Sequence, residues 1–152
     1  NYFMKIRILA PATSEEFESY YNLRWQVLRE PWGQTKGSER DKEDEVSHHR
    51  MIIDETTGDA VAVGRLQINS TDEAQIRYMA VAEGYQGQGL GRKIVTTLEE
   101  IALDQRANRI ILQARENAVQ FYQSNGYEIM EKTHLLFGKI QHWMMQKELT
   151  TD

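Results

Sequence analysis

The chain has 152 residues, a formal net charge of −5, 40 % hydrophobic and 27 % charged residues, and no cysteine. This length predicts a single domain over residues 1–152 with a hydrophobic core. Lack of cysteine excludes disulfides, thiolate metal sites and a cysteine nucleophile, and we expect no metal. No basic stripe predicts nucleic-acid binding, and no apolar run approaches the roughly 20 residues of a membrane helix. We expect a cytoplasmic protein without a nucleic-acid or membrane partner.

The first strand is predicted from alternating residues 3–9. Asn1 is not an initiator residue, so residues 1–3 are interpreted as a remnant ahead of a native start at Met4. No signal peptide is visible at this end of the sequence.

The first helix is predicted from a capping box, with a hydroxyl at Thr13 and a carboxylate at Glu16. Apolar residues at helical spacing extend it to about Arg29, and Pro31 ends it. Residues 31–46 are polar and predict a long loop that includes one helical turn. We interpret this loop as lying over one edge of a substrate site.

Three further strands are predicted at residues 49–54, 60–68 and 74–81. Turn-forming residues separate them at 55–59 and 69–72. Short connections of this kind favour an antiparallel meander.

A glycine-rich loop, Gln-Gly-Gln-Gly-Leu-Gly at residues 86–91, follows the third of these strands and precedes a helix ending near Arg106. Glycines let the main chain approach a ligand closely, and the first N–H groups of a helix attract anions. The loop therefore predicts a phosphate site, with a glycine turn that binds nothing as the alternative. It is not a Walker A loop, because Gly-Lys-Ser/Thr is absent, and it is a poor dinucleotide fingerprint.

The last third of the chain begins with a buried-type strand at 109–114, expected to lie parallel to the 74–81 strand because a helix separates them. A short helix at 118–124 is predicted to close at Gly126. Strands at 127–136 and 140–148 predict a hairpin around Gly138.

Two segments carry a resemblance to a known superfamily. The first is Ile76–Val81 followed by Gln86–Arg92, and the second is Ala118–Tyr122 followed by Asn125–Tyr127. In this order, and on these elements, they resemble the strand, Gln/Arg-x-x-Gly-x-Gly/Ala loop and tyrosine helix of the GNAT N-acetyltransferases. The resemblance implies an α+β fold with a central mixed sheet of six to seven strands. That sheet would be mostly antiparallel, with a splayed parallel pair, and flanked by about four helices.

The resemblance also implies acetyl-CoA as cosubstrate. Main-chain N–H groups of Gln86–Arg92 would hold the pyrophosphate, and the strand at Met79–Val81 would pair with the pantetheine arm. A slot for that arm is expected between residues 79–83 and 112–114. The implied cofactor-binding residues are Met79, Ala80, Val81, Gln86, Gly87, Gln88, Gly89, Leu90, Gly91, Arg92, Asn117 and Tyr122.

Acyl transfer from a thioester to an amine needs a proton acceptor for the amine and a proton donor for the thiolate. A main-chain N–H near Val81 would stabilise the oxyanion. Tyr122 matches the family's tyrosine that acts as the general acid, and a tyrosine with a pKa of about 10 stays protonated at neutral pH. The alternative for Tyr122 is a core aromatic.

One position departs from the family pattern. Many members have Asn seven residues before the tyrosine, where this chain has Arg115, while Asn117 lies five before. Asn117 is expected either to contact the cofactor or to cap the short helix. Arg115 either reaches a phosphate of coenzyme A or is exposed to solvent.

The general base has four candidates, because members of the family differ at this point. Glu73 starts the central strand, Glu45 and His49 lie where the long loop meets a strand, and His142 lies on the last strand. Histidine suits the task because it titrates near neutral pH. Each of these residues is also compatible with a purely structural role.

The hypothesis from the sequence is an N-acetyltransferase (acyltransferase) that moves acetyl to a primary amine in a ternary complex. Alternatives are a CoA-binding sensor without catalysis, and transfer of a longer acyl group or to a non-amine. The acceptor stays open among metabolites, antibiotics, polyamines and proteins. The acidic 39–45 stretch indicates either a cationic acceptor or a solvated loop. Trp32 and Trp143 are candidates for a homodimer surface.

Overall fold

The computed structural model describes residues 4–150. They contain seven strands and three α-helices. The strands are β1 Ile6–Leu9, β2 His48–Asp54, β3 Asp59–Ile68, β4 Glu73–Val81, β5 Arg109–Arg115, β6 Glu128–Leu136 and β7 Ile140–Glu148; the helices are α1 Ser14–Leu28, α2 Leu90–Asp104 and α3 Val119–Ser124. Short 3₁₀ turns lie at Glu30–Trp32, Lys42–Glu45 and Glu116–Ala118.

The strands form one sheet in the order β1-β2-β3-β4-β5-β7-β6. Among the described strands, β4 and β5 are the one parallel pair, in register from Glu73–Arg109 to Ile76–Leu112. The α+β class, the mostly antiparallel sheet and the parallel crossover through α2 are therefore confirmed. The order β5-β7-β6 places the last strand inside the sheet, because β7 pairs with both β5 and β6.

Two compact units divide the chain. The first unit runs to Arg65 and includes Tyr78–Leu98, and the second comprises Leu66–Arg77 and the chain from Glu99 onward. In the first unit, α1 begins as predicted, since Thr13 Oγ1 accepts from Glu16 N and Glu16 Oε1 accepts from Thr13 N. Its core is built by α1, β2, β3 and the end of β4, through Tyr20, Leu23, Met51, Ala60, Val63 and Ala80.

The second unit contains β5, α3 and the β6–β7 hairpin. The hairpin turns at Phe137 and Gly138, both with positive φ of 54° and 67°, as in the primed turns that match strand twist. Gly126 closes α3 with φ 92°, as predicted. Buried apolar side chains in this unit include Ile110, Leu112, Ala114, Tyr127, Ile140 and Met145.

Some predicted boundaries move. The 31–46 loop contains two 3₁₀ turns rather than one, and α2 ends at Asp104 instead of Arg106. The expectation of about four helices becomes three α-helices within residues 4–150. The predicted strand at 3–9 starts at Ile6, and residues 1–3 lie outside the described part of the chain.

Candidate active site

The glycine loop between β4 and α2 is an exposed main-chain surface. Gly84, Gly87 and Gly89 have φ of 88°, 76° and 80°, a region that favours glycine. A Cβ built on any of the three would meet nothing within 4 Å. The glycines are therefore required by main-chain conformation and not by crowding, and the space in front of them is open to a ligand.

In the described part of the chain, the start of α2 offers main-chain donors without an acceptor. The first bond of this helix is donated by Lys93 N to Gly89 O at 3.1 Å. The N–H groups of Leu90, Gly91 and Arg92 precede that bond and have no acceptor within the helix. The positive end of the helix dipole lies at the same place. Open space, free amides and a helix start are the features of a phosphate-binding site, and the residues present fit a pyrophosphate.

The end of β4 leads into this loop. The parallel ladder with β5 stops at Ile76, whereas β4 runs on to Val81. Tyr78 in this extension has φ 58°, which breaks the regular pleat. Ala82 N then donates to Val61 O at 2.8 Å, so that β3 holds the last residues before the loop.

A buried network of charged residues lies in the same unit. Arg24 on α1 and Arg65 on β3 are both completely buried. Each donates to Asp44 Oδ1 at 2.9 Å, and Arg65 also donates to Asp41 Oδ1 at 2.6 Å. Two guanidinium groups thus face two carboxylates, which offsets the cost of burying charge.

The network keeps the carboxyl group of Asp44 ionised. Burial raises the pKa of Asp44, but the Arg24 charge and hydrogen bonds from Asp41 N, Arg24 and Arg65 outweigh that effect and leave the pKa below its usual value. Asp44 is therefore a permanent anion at neutral pH. It serves as a counter-ion to the two arginines.

His49, a base candidate, belongs to this network. Its Nε2 lies 2.7 Å from Asp44 O, and its Nδ1 lies 2.7 Å from the Tyr20 hydroxyl. A carbonyl oxygen only accepts, so Nε2 carries the proton and the neutral ring leaves Nδ1 as an acceptor facing the Tyr20 hydroxyl. The same hydroxyl is also within donating distance of Gly64 O, at 3.1 Å. Burial lowers the pKa of His49, which keeps the ring neutral. Both nitrogens are occupied, and His49 has none to offer an amine in this arrangement.

The other candidates in the first half of the sequence have different surroundings. Glu45 is exposed and lines a cleft of about 560 Å³ together with Phe17, Tyr21 and His49. Glu73 accepts from Arg109 Nε at 3.2 Å and from Asn69 Nδ2 at 2.9 Å. Glu73 begins β4, whereas the glycine loop follows the other end of this nine-residue strand, which spans roughly 30 Å.

Tyr122 on α3 is described within the second unit. Its side chain is 7 % exposed, and it makes edge contacts with Phe121 and Tyr127. Burial raises its pKa, so the hydroxyl is protonated at neutral pH. Among residues 4–150 no group forms a hydrogen bond with this hydroxyl, and its oxygen is not among the completely buried side-chain atoms that lack a partner.

His142 and Asn117 also lie in the second unit. His142 is buried on β7, with Nδ1 3.0 Å from Ile140 O and its ring stacked on His134 at 4.3 Å. Asn117 is exposed in the 3₁₀ turn before α3. Ala118 is the N-cap of α3 and no side chain caps it, so the expectation that Asn117 caps this helix is wrong. Arg115 is half-buried at the end of β5.

Sequence reasoning missed the buried network altogether. Asp41 and Asp44 lie in an acidic stretch that reads as a solvated loop, and Arg24 lies on α1 about twenty residues earlier. The signal that could have identified it is an arginine among apolar residues, both in α1 and in the apolar run 60–66.

Within residues 4–150, no helix is long and apolar enough to span a membrane.

Comparisons with a family model and with a related protein give the same family. The family model described as the acetyltransferase (GNAT) family matches residues 17–127. The uncharacterized N-acetyltransferase YjcF of Bacillus subtilis (strain 168) is 25 % identical over 134 residues, which cover 88 % of this chain and 94 % of that protein.

Solved structures have the same fold. Escherichia coli ElaA superposes with a TM-score of 0.78 at 19 % identity, covering 96 % of this chain and 100 % of that one. A GNAT family acetyltransferase from Elizabethkingia anophelis with acetyl-CoA bound gives 0.72 at 14 % identity, with 95 % and 98 % covered. The fold, the glycine loop and the family match agree with the enzyme class predicted from the sequence, and the chain belongs to the acetyltransferase (GNAT) family.

Proposed function

We propose that this protein transfers the acetyl group of acetyl-CoA to a primary amine by direct attack in a ternary complex. The observation that carries the proposal is the set of free main-chain donors at Leu90–Arg92 behind the open glycine loop, in a chain of the GNAT family. The Elizabethkingia anophelis relative of the same fold has acetyl-CoA bound, which supports the choice of ligand.

The cofactor contacts follow from the chemistry of the loop. The amides of Gln86–Arg92 would hold the pyrophosphate, because N–H groups at a helix start complement its negative charge. The main chain of Met79–Val81 lies beyond the ladder with β5 and would bond the amides of the pantetheine arm. Asn117 and Tyr122 complete the proposed set.

The chain's own residues would manage the protons. Acetyl-CoA supplies an activated thioester, the amine nitrogen forms the new bond to its carbonyl carbon, and the carbon–sulfur bond breaks. Tyr122 would donate a proton to the departing thiolate, and its protonated hydroxyl, which has no hydrogen-bond partner within residues 4–150, suits that role. A main-chain N–H near Val81 would stabilise the oxyanion. With no cysteine in the sequence, direct attack is favoured over a cysteine-linked intermediate.

For the general base that deprotonates the amine, we propose a set of candidates and not a single residue. His49 has both nitrogens bonded and Glu73 is paired with Arg109, so neither side chain is ready to accept a proton. His142 and Glu45 stay candidates, as does a water molecule that relays the proton of the amine.

The acidic loop contributes less to acceptor choice than its composition indicates. Asp41 and Asp44 neutralise Arg65 and Arg24, and Glu39 pairs with Arg40 at 3.0 Å. Glu43 and Glu45 are the exposed acids of this stretch. The acceptor is therefore a primary amine that does not need to carry several positive charges. We also infer a cytoplasmic enzyme that assembles as a homodimer through the exposed Trp32. Trp143 is only partly exposed and its Nε1 is buried, so the expectation that it is an exposed aromatic is wrong.

The test is calorimetry with coenzyme A, followed by an amine panel with acetyl-CoA. We expect saturable binding and transfer to at least one amine. Tyr122→Phe should lower kcat at least tenfold with little change in CoA affinity, while Phe121→Leu on the same helix controls for packing. Binding without any transfer would instead identify a CoA sensor. Faster transfer from a longer acyl-CoA would identify a different donor, and no binding would overturn the proposal.

A further inference from the structure

Tyr78 has a main-chain conformation that its residue type disfavours. Its φ of 58° lies in the left-handed region, which is uncommon for a bulky side chain. Arg106 and Phe137 are the other non-glycine residues with positive φ among residues 4–150. Those two lie at the end of a helix and in a hairpin turn, whereas Tyr78 lies inside strand β4. Contacts of its side chain must compensate for the conformation.

Three guanidinium groups surround the Tyr78 ring. The Cζ of Arg24 lies 4.2 Å from the ring centroid, that of Arg65 4.8 Å and that of Arg29 5.6 Å. The hydroxyl donates to Asp41 Oδ2 at 3.3 Å. Arginine over an aromatic face is attractive, and more so where water is excluded. Arg24 and Arg65 are both fully buried, so their contacts with Tyr78 belong to the stronger kind.

The arginines are themselves fixed by the long loop. Asp44 accepts from both Arg24 and Arg65, and Asp41 accepts from Arg65 through both carboxylate oxygens. Arg24 also donates to Glu39 O at 3.0 Å. The ring of Tyr78 is therefore held by Arg24 and Arg65, and the positions of these arginines depend on their hydrogen bonds to residues 39–44. This arrangement connects the loop to the middle of β4.

We propose that Tyr78 is a positioning residue: Asp41 and Asp44, acting through Arg24 and Arg65, hold its ring, and the held ring maintains the left-handed turn that sets the direction of Met79–Val81. This inference rests on the proposed function, because Met79–Val81 is the segment proposed to bond the pantetheine arm. Residues 39–44 then help to fix the position of the strand segment Met79–Val81, which is proposed to bind the pantetheine arm.

Two substitutions at one position separate positioning from ordinary packing. Tyr78→Ala and Tyr78→Gly both remove the ring. Glycine adopts positive φ without steric cost, whereas alanine does not. If the turn matters for binding, Tyr78→Gly should bind coenzyme A about tenfold more tightly than Tyr78→Ala, which is the left-handed penalty converted at about 1.4 kcal/mol per tenfold. If only packing matters, both variants lose the same affinity.

Arg106 supplies the matched control. Its φ is 66°, and its side chain is exposed after α2. Arg106→Gly should be more stable than Arg106→Ala for the same main-chain reason, yet both should bind coenzyme A as the natural chain does. Urea titration of every variant confirms that folded protein is compared. Asp41→Asn should weaken binding less than Tyr78→Ala, because the ring remains and Asp44 still fixes Arg24 and Arg65 against it.

The outcomes separate this inference from the proposed function. If the natural chain ignores coenzyme A, the proposed function and the positioning role fall together. If it binds and the glycine and alanine variants at position 78 bind equally, the inference alone is overturned. A crystal structure of Tyr78→Ala is the second readout. An extended residue at position 78 supports the grip of the ring, and a retained positive φ overturns it.

Discussion

The buried charged network and the glycine loop occupy the same unit but obey opposite rules. In the network, Arg24, Arg65 and Asp44 are buried and bonded to one another. In the loop, Gly84, Gly87 and Gly89 are exposed, and the amides that follow them have no acceptor in the helix. Satisfied buried charges hold a fold in one state, whereas unsatisfied exposed donors await a ligand. Substitutions should therefore act mainly on stability in the first region and mainly on affinity in the second.

The largest effect is expected from Asp44→Ala. Removing this carboxylate leaves two buried guanidinium groups short of a counter-ion, which should cost about 3–5 kcal/mol of unfolding free energy. Urea denaturation followed by circular dichroism measures it. Glu100→Ala is the control, because Glu100 is exposed on α2 and should change stability by less than about 0.5 kcal/mol. Equal losses in the two variants would contradict a structural role for the network.

The next effect should appear in binding. Gly89 and Gly58 both have φ of 80°, and a Cβ on either meets nothing within 4 Å. Gly89→Ala and Gly58→Ala therefore carry the same main-chain penalty, about 1–2 kcal/mol of stability. Only Gly89 precedes the free amides, so Gly89→Ala should weaken coenzyme A binding by tenfold or more while Gly58→Ala leaves it unchanged. Calorimetry decides, and equal affinities would remove the loop from the site.

Local patterns predicted most of the fold, because the interactions that define them are close in sequence. The Thr13–Glu16 capping box and the turn at Gly138 each depend on neighbouring residues. The glycine loop was found for the same reason, since its chemistry belongs to the main chain of consecutive residues. The order β5-β7-β6 was not predicted, because pairing between distant strands is set by tertiary packing.

Long-range side-chain contacts were the part that could not be predicted. Arg65 and Asp41 are 24 residues apart, and an acidic stretch gives no indication of which carboxylates will be buried. His49 was selected because histidine titrates near neutral pH, but burial and two hydrogen bonds decide its state in the fold. Residue type identifies candidates, and only the surroundings assign them.

The buried network should also make stability depend on pH. Burial lowers the pKa of His49 below its usual value of 6.5, so the unfolded chain takes up a proton before the folded one does. The contribution of neutral His49 to the free energy of unfolding is therefore fully present above about pH 6.5. It is lost as the pH drops toward the folded-state pKa. His49→Gln should flatten this slope in urea titrations between pH 7.5 and 5.

His48 provides the comparison for that slope. Burial and the nearby Arg50 also lower its pKa, but its side chain is only half-buried, so His48→Gln should flatten the slope less. A second loss of stability is expected in more acidic solution, as Asp44 and Glu39, whose pKa values are lowered, become protonated. An unaltered slope in His49→Gln would show that its burial does not govern the acid response.

The smallest effect distinguishes two neighbouring tyrosines. Tyr127 donates to Glu99 Oε2 at 2.8 Å, whereas the Tyr122 hydroxyl has no partner among residues 4–150. Tyr127→Phe should therefore lose about 0.5–1.5 kcal/mol of unfolding free energy, and Tyr122→Phe should lose close to none. Thermal or urea unfolding of both variants tests this, with the same ring volume retained in each. A hydroxyl that contributes nothing to the fold but is required for turnover would be retained for chemistry. Equal stability losses would instead indicate that Tyr122 is an ordinary core aromatic.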